Sequence, residues 1–228
     1  MNIAIAINTA PRPTETLSST VKSLREAGFD QTVHILSDGP YQVEDDRVVI
    51  VKNDPPKGAL ANFFFALDYL CETDADWYMI LEDDVEWAKK SRQALEHDLA
   101  QLSKKQNVGY LSIYVHKKMG KVLKNRKQNT PGLHVLNLGY ECIGSQAYVL
   151  SAKSAKHLAS DPAYRVWCRN QNRDRVVSGR LQDLGYDLYY RMPGLVNHSL
   201  GSANSAIKEK KPDNTIYWQE VAQLRETE

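Results

Sequence analysis

The segment at residues 77–85 has the sequence Trp-Tyr-Met-Ile-Leu-Glu-Asp-Asp-Val. Its first five residues form a short apolar run, as a buried β-strand does, and three carboxylates follow at once. Adjacent carboxylates at the end of a buried strand repel one another and lose hydration energy. A divalent cation would relieve both costs, so the triplet at 82–84 predicts a metal site, with a solvated acidic turn as the alternative.

The same arrangement, an apolar strand closed by polar residues, recurs upstream of this segment. Strands are predicted at residues 3–8, 33–36 and 47–51, with helices at about 16–27 and 58–71 between them. Strands that alternate with helices predict an α/β fold with a largely parallel sheet.

Ligands of such sheets bind beyond the carboxyl ends of the strands. Polar residues close each of the four predicted strands, namely Thr9 and Arg12, Asp38, Asn53 and Asp54, and the triplet Glu82-Asp83-Asp84. We therefore expect one site built from four strand ends.

The rest of the chain continues the alternation less regularly. Helices are predicted at 91–102, 152–158, 175–184 and 216–224, and strands at 108–115, 133–138, 145–150 and 188–191. Residues 116–132 and 197–206 are expected to form loops.

The composition is that of a globular protein. Of 228 residues, 42% are hydrophobic and 25% are charged, which suits one well-buried domain. No apolar run approaches the roughly 20 residues of a membrane span, and the first residues lack a basic stretch, so we expect a cytoplasmic protein. The three cysteines are far apart, which argues against a zinc site.

The charge is unevenly distributed although the net charge is +1. Between residues 99 and 160 the only acidic residue is Glu141. The lysines, arginine and histidine at 116–127 predict either a solvated face or an arm that meets an anionic acceptor, such as nucleic acid or an anionic glycan.

Three segments together resemble the GT-A class of glycosyltransferases, similar to family 2. They are residues 5–12 (IAINTAPR), residues 57–62 (KGALAN, a G-x-x-x-N helix start) and residues 80–85 (ILEDDV, a DxD-type motif). The resemblance implies a single GT-A-like domain with a Rossmann-like, mostly parallel central sheet flanked by helices. Residues 1–90 would bind the nucleotide-sugar, residues 91–206 would form the acceptor-binding half, and residues 207–228 would be a C-terminal tail.

The resemblance also implies an activity. The chain would be a metal-dependent glycosyltransferase, a hexosyl- or pentosyltransferase, that moves a sugar from a nucleotide-diphosphate donor to an acceptor hydroxyl. The donor would be a UDP-sugar and the metal Mn²⁺ or Mg²⁺. The donor-binding residues would be Thr9, Ala10, Arg12, Asp38, Asn62, Glu82 and Asp83, and Asp84 would hold the metal. An Asp-Gly turn is the alternative role for Asp38.

The C-terminal part of the chain supplies a second candidate metal ligand. Residues 192–202 (MPGLVNHSLGS) resemble a segment of several GT-A families whose histidine completes the metal site. The resemblance assigns His198 to the metal, and a neutral imidazole suits Mn²⁺. A structural histidine is the alternative.

Inversion at the sugar requires a general base near the acceptor hydroxyl. The candidates are Asp174, Asp183, Asp187 and Glu141. Asp174 is favoured because the resemblance to the GT-A class implies a catalytic Asp or Glu just before such a helix. A helix cap or an ion pair with a neighbouring arginine is its alternative role.

The candidate acceptors are a glycan, a lipid-linked group and a modified DNA base. The alternative functions are a sugar-phosphate nucleotidylyltransferase and a non-catalytic nucleotide-sugar-binding module. The first would carry a glycine-rich phosphate loop after its first strand, whereas residues 8–12 contain no glycine.

Overall fold

The computed structural model describes residues 1–12, 14–125, 130–136, 146–170 and 173–198. Within these ranges it describes the backbone alone at residues 59–60, 117–119, 122, 167–170 and 173–174.

Strands and helices alternate along the described chain. The strands are β1 Ile3–Thr9, β2 Val33–Ser37, β3 Val48–Lys52, β4 Trp77–Glu82, β5 Val85–Trp87, β6 Val108–Ser112, β7 Gly132–Val135, β8 Ala147–Ser151, β9 Asp187–Met192 and β10 Val196–His198. The helices are α1 Leu17–Glu26, α2 Ala59–Cys71, α3 Ser91–Leu102, α4 Lys117–Asn125, α5 Ala152–Ser160, α6 Pro162–Asn170 and α7 Arg173–Asp183.

The described residues form a central eight-stranded sheet in the order β3-β2-β1-β4-β8-β6-β9-β7. Strands β3, β2, β1 and β4 are parallel, as predicted. Strand β8 runs antiparallel to both of its neighbours, β4 and β6, so β6 and its parallel partner β9 point the same way as β4. The carboxyl ends of β1 to β4 therefore lie on one edge, and the predicted α/β fold is confirmed.

Both faces of the sheet are covered, which explains why its inner strands are apolar throughout. Along β4, the odd-numbered residues 77–81 pack against one layer and the even-numbered ones against the other. Helices α1 and α3 contribute Leu24 and Leu99 to the first layer, and α2 and α7 contribute Phe63 and Leu181 to the second. Alternate residues of a strand point to opposite faces, so the sheet needs two helical layers.

The loop predicted at residues 116–132 is wrong, because α4 occupies most of it and β7 begins at its end. Lysines dominate α4, but apolar residues at 119, 122 and 123 follow helical spacing. Leu123 is 1% exposed and packs in the core, so its burial stabilises the helix.

Three short elements depart from the predicted pattern. Helix α6 and strand β5 are additional, and β10 continues through Asn197 and His198, where a loop is predicted. Strands of three residues carry too little pattern to be recognised in the sequence. The predicted helix at 216–224 lies outside the described residues.

In the described part of the chain, no helix combines the length and the apolar character of a membrane span. Helix α2 is strongly apolar but has 13 residues, and about 20 are needed to cross a bilayer.

Candidate functional site

The acidic triplet lies where β4 ends, beside the end of β1. The hydroxyl of Thr9, the last residue of β1, donates a hydrogen bond to a carboxylate oxygen of Asp83. The guanidinium of Arg12 donates to Asp83 and to Asp84, with an Nη1–Oδ2 distance of 2.9 Å to Asp84. The parallel pairing of Asn8 with Glu82 fixes this juxtaposition, since it aligns the last residues of the two strands.

The two aspartates are buried and differ in their protonation behaviour. Burial raises the pKa of Asp83 to about 6, although the hydrogen bond from Thr9 and the charge of Arg12 oppose it. Burial would also raise the pKa of Asp84, but the hydrogen bond and charge of His198, together with Arg12, lower it below its ordinary value. Asp84 is therefore held as a carboxylate.

His198 reaches the triplet through the small sheet formed by β10 and β5. The two strands are antiparallel, and His198 pairs with Val85, the residue after Asp84. As a result, Nε2 of His198 lies 3.0 Å from Oδ2 of Asp84. The backbone N–H of Leu195 donates to the carbonyl of Ile113 at 2.8 Å and anchors β10 to the main sheet.

Three of these side chains could hold a metal ion together. Glu82, Asp84 and His198 each offer one ligand atom, and the three atoms lie within 4.8 Å of one another. Among the described residues, no donor reaches the buried Oδ1 of Asp84, so this oxygen is left for a ligand. Two carboxylates and an imidazole fit Mn²⁺ well and Mg²⁺ acceptably. Glu82, which the resemblance assigned to the nucleotide, thus lies among the metal candidates.

The ends of β2 and β3 meet at Asp38, which organises the start of α2. The carboxylate of Asp38 accepts hydrogen bonds from Nδ2 of Asn53 at 2.7 Å and from the backbone N–H groups of Lys57 at 3.0 Å and Gly58 at 2.6 Å. Gly58 precedes α2 with a φ of 79°, a left-handed conformation that suits glycine. Asp38 therefore accepts hydrogen bonds from the backbone N–H groups that precede α2 and places a negative charge near the N-terminus of this helix.

Asn62 joins α2 to the ends of the first two strands. Its Nδ2 donates to the carbonyl of Leu36 at 2.8 Å and to that of Thr9 at 3.3 Å, and its Oδ1 accepts from Asn53 at 2.8 Å. The side chain is buried, so these bonds fix the distance between the strand ends. The structure thus brings together polar residues from all four strand ends, whereas Asp54 is exposed after β3.

Two residues that support the site are absent from the sequence prediction. The buried hydroxyl of Thr20 on α1 lies 2.8 Å from the carbonyl oxygen of Asp83 and 2.9 Å from that of Val85. Tyr41 donates from its hydroxyl to the carbonyl of Ala10 at 2.6 Å. A threonine on the apolar face of a helix is a detectable signal, whereas the contact of Tyr41 depends on how two loops pack.

The candidates for the general base fall in different places. Asp183 pairs with Arg180 at 3.2 Å, and Asp187 is the exposed first residue of β9. Since β9 runs the same way as β4, its first residue lies at the edge of the sheet opposite Asp84. Asp174 lies in the first turn of α7, and its side chain is not described; Glu141 lies outside the described residues.

No protein-family model and no curated protein matches the sequence. Solved structures, however, share its fold. The mannosyltransferase PcManGT from Pyrobaculum calidifontis, in complex with GDP-Man and Mn²⁺, matches 89% of this chain with a TM-score of 0.62 and 11% identity. GalNAc-T7 with UDP, GalNAc and Mn²⁺ matches 97% of it with a TM-score of 0.62 and 12% identity. The galactosyltransferase LgtC, with donor and acceptor sugar analogs, matches 100% with a TM-score of 0.54 and 13% identity.

These three proteins are GT-A glycosyltransferases, so the chain has the GT-A fold predicted from its motifs. The chain spans 58% and 50% of the first two proteins and 96% of LgtC. At such low identities the likeness shows the fold, and the function has to be argued from the site.

Proposed function

We propose that this protein is a metal-dependent glycosyltransferase that moves a sugar from a nucleotide-diphosphate donor to an acceptor hydroxyl. One observation carries the proposal: in a GT-A fold, Glu82, Asp84 and His198 converge at the end of β4 with ligand atoms within 4.8 Å of one another. The mannosyltransferase and GalNAc-T7 were solved with Mn²⁺ and with GDP-Man or UDP, which supports a similar metal and donor here.

The metal would be held by Asp84 and His198, with Glu82 as a further ligand. A bound divalent cation supplies charge that offsets the diphosphate and helps it to leave. The nucleotide would be flanked by residues at and just after the end of β1, namely Thr9, Ala10 and Arg12. Asp38 and Asn62 would hold the adjoining loops, and Asp83 would face the ribose. A UDP-sugar is the donor we favour.

We further propose that the reaction inverts the sugar and that Asp174 is the base. The acceptor hydroxyl oxygen would attack the anomeric carbon while the bond from that carbon to the diphosphate breaks. The diphosphate would leave with the bonding electrons, and the hydroxyl proton would pass to the Asp174 carboxylate. Asp183 and Asp187 lie beside the start of β9, away from Asp84. Asp174 lies at the start of α7, so it is better placed than these two residues to act as the base.

The basic segment 116–127 would receive an acceptor that carries negative charge. Helix α4 occupies most of it, and Lys121 and Lys124 are exposed. A folded helix presents its lysines at fixed spacing, so it suits a defined array of phosphates or carboxylates better than a loop does. An anionic glycan, a lipid-linked group and a DNA base remain within this proposal.

A thermal-shift screen tests the donor and the metal together. UDP- and GDP-sugars are added with Mn²⁺ or with EDTA, and a ligand that binds the folded protein raises its melting temperature by mass action. We expect one donor to raise it with Mn²⁺ and not with EDTA. If no nucleotide diphosphate shifts the melting temperature under either condition, the proposed function is wrong.

A matched pair of variants shows whether a shift comes from this site. Asp84→Asn removes a buried carboxylate of the triplet, whereas Glu86→Gln changes an exposed carboxylate two residues further on. The first should abolish the Mn²⁺-dependent shift and the second should leave it unchanged.

A further inference from the structure

Arg12 lies on the carboxylates that are proposed to hold the metal. Its side chain is 18% exposed, and those of Asp83 and Asp84 are 1% and 3% exposed. Its Nη1 atom lies 2.9 Å from Oδ2 of Asp84, the same oxygen that lies 3.0 Å from Nε2 of His198. One oxygen of Asp84 thus faces two nitrogen groups, whereas no donor among the described residues reaches its buried Oδ1.

A guanidinium in this position partly neutralises the carboxylates, as a bound metal ion would. Two buried carboxylates cost much free energy unless a cation neutralises them, and Arg12 supplies that cation. The same contacts oppose metal binding, because a second cation near Asp84 would be repelled by the first.

Arg12 can also serve the donor from where it lies. It follows β1 in the chain, at the edge of the sheet that ends in the acidic triplet, and a guanidinium binds phosphate oxygens in a forked geometry. When a metal ion neutralises Asp84, a donor diphosphate bound beside that metal would offer its anionic oxygens to Arg12.

We infer that Arg12 is the resident counter-cation of the acidic triplet: it competes with the divalent metal in the free protein and moves to the donor diphosphate when both bind. This inference rests on the proposed function. It makes metal and nucleotide binding mutually dependent, since the nucleotide draws away the group that competes with the metal.

The test measures Mn²⁺ affinity directly and does not depend on turnover. The Kd for Mn²⁺ is determined by electron paramagnetic resonance of free Mn²⁺, with and without UDP or GDP, in the wild type and in Arg12→Gln. We expect the variant to bind Mn²⁺ about tenfold more tightly than the wild type without nucleotide. The tightening caused by the nucleotide should be about tenfold smaller in the variant.

Two further variants keep the result interpretable. Arg12→Lys retains a positive charge but not the forked donor pair, so its Mn²⁺ affinity should lie between those of the wild type and Arg12→Gln. Arg47→Gln removes a half-exposed arginine that pairs with Asp30 and should match the wild type. Without metal, Arg12→Gln should also have a lower melting temperature than the wild type. Addition of Mn²⁺ should raise the melting temperature of the variant more than that of the wild type.

The outcomes separate this inference from the function on which it rests. Equal Mn²⁺ affinities of wild type and Arg12→Gln without nucleotide would overturn the role of Arg12 and leave the metal site in place. Failure of every protein to bind Mn²⁺ under all conditions would overturn both. Binding of Mn²⁺ by Arg12→Gln alone would support the competition and would contradict metal dependence of the wild type.

Discussion

Nε2 of His198 lies 3.0 Å from Oδ2 of Asp84, and the pairing of β10 with β5 holds the two residues together. The Asp84 carboxylate, just after the central strand β4, thereby contacts the imidazole of a residue that is more than 100 positions later in the sequence. Because His198 pairs with Val85 in the backbone, its position follows from strand register and does not depend on its contact with Asp84.

Asp84→Asn should remove most of the donor hydrolysis that depends on Mn²⁺. The amide keeps the shape of the side chain but loses the charge that binds the cation, so we expect a loss of about 100-fold or more. Hydrolysis of the donor identified by the thermal-shift screen provides the rate. Glu86→Gln should stay within about twofold of the wild type because Glu86 is exposed on β5. Equal rates for Asp84→Asn and the wild type would refute the metal role of Asp84.

His198→Gln should change which metal the protein prefers. Imidazole favours Mn²⁺, whereas an amide oxygen suits Mg²⁺ nearly as well. We expect the Kd for Mn²⁺ to rise about tenfold and the Kd for Mg²⁺ to change less. The Kd for Mn²⁺ can be measured directly by electron paramagnetic resonance of free Mn²⁺, and that for Mg²⁺ by its competition against Mn²⁺. An equal loss for the two metals would contradict direct binding by the imidazole.

The placement of the four strand ends could be predicted from the sequence. Each strand is an apolar run closed by polar residues, and parallel order puts those residues on one edge. The contacts of Thr9 and Arg12 with Asp83, and of Asp38 with Asn53, agree with that expectation. Such contacts follow from the order of the strands, which local patterns indicate.

The features that depend on tertiary packing could not be predicted in this way. The lysines of α4 hide its helical spacing, and the burial of Leu123 is visible only in the folded chain. The approach of His198 depends on a strand of three residues, so its assignment came from the family resemblance and not from local pattern. The support that Thr20 gives to the acidic turn requires α1 to pack against β5.

Asp38→Asn should destabilise the protein. The carboxylate accepts two backbone N–H groups and the amide of Asn53, and an asparagine would turn a donor toward at least one of them. We expect a loss of about 1–3 kcal/mol in the free energy of unfolding, measured with urea. Asp54→Asn, at an exposed position after β3, should cost little. If Asp38→Asn matches the wild type in urea but weakens donor binding, its main role is in nucleotide recognition.

The ion pair between Arg25 and Asp45 should make stability depend on pH in the acid range. The hydrogen bond from Arg25 lowers the pKa of Asp45 from 3.8 to about 2, and Nε of Arg25 lies 2.7 Å from the carboxylate. A lowered pKa stabilises the folded state above the ordinary pKa, and this contribution disappears as the pH falls through the folded value. The carboxylate of Asp45, which also accepts from the backbone N–H of Arg47 at 2.9 Å, should therefore contribute about 2 kcal/mol at neutral pH, lost between about pH 4 and pH 2.

Asp45→Asn tests this contribution against a neighbouring control. Its unfolding free energy should be lower than that of the wild type at pH 7 and should fall less steeply between about pH 4 and pH 2. Asp46→Asn changes a side chain that is 96% exposed, so it should follow the wild type. Parallel pH curves for Asp45→Asn and the wild type would show that the pair does not stabilise the fold.

Reversal of the charges on α4 should separate acceptor binding from donor chemistry. Lys121→Glu with Lys124→Glu places two negative charges on an exposed helix face, so transfer to an anionic acceptor should fall about tenfold or more while donor hydrolysis stays unchanged. Lys104→Glu with Lys105→Glu makes the same charge change after α3, before β6 begins, and should affect neither rate. The loss should weaken at high salt, because the attraction between exposed charges is screened. An unchanged transfer rate in the α4 variant would show that the acceptor is bound elsewhere, and an equal loss in both variants would mean that net charge, not the helix, governs the encounter.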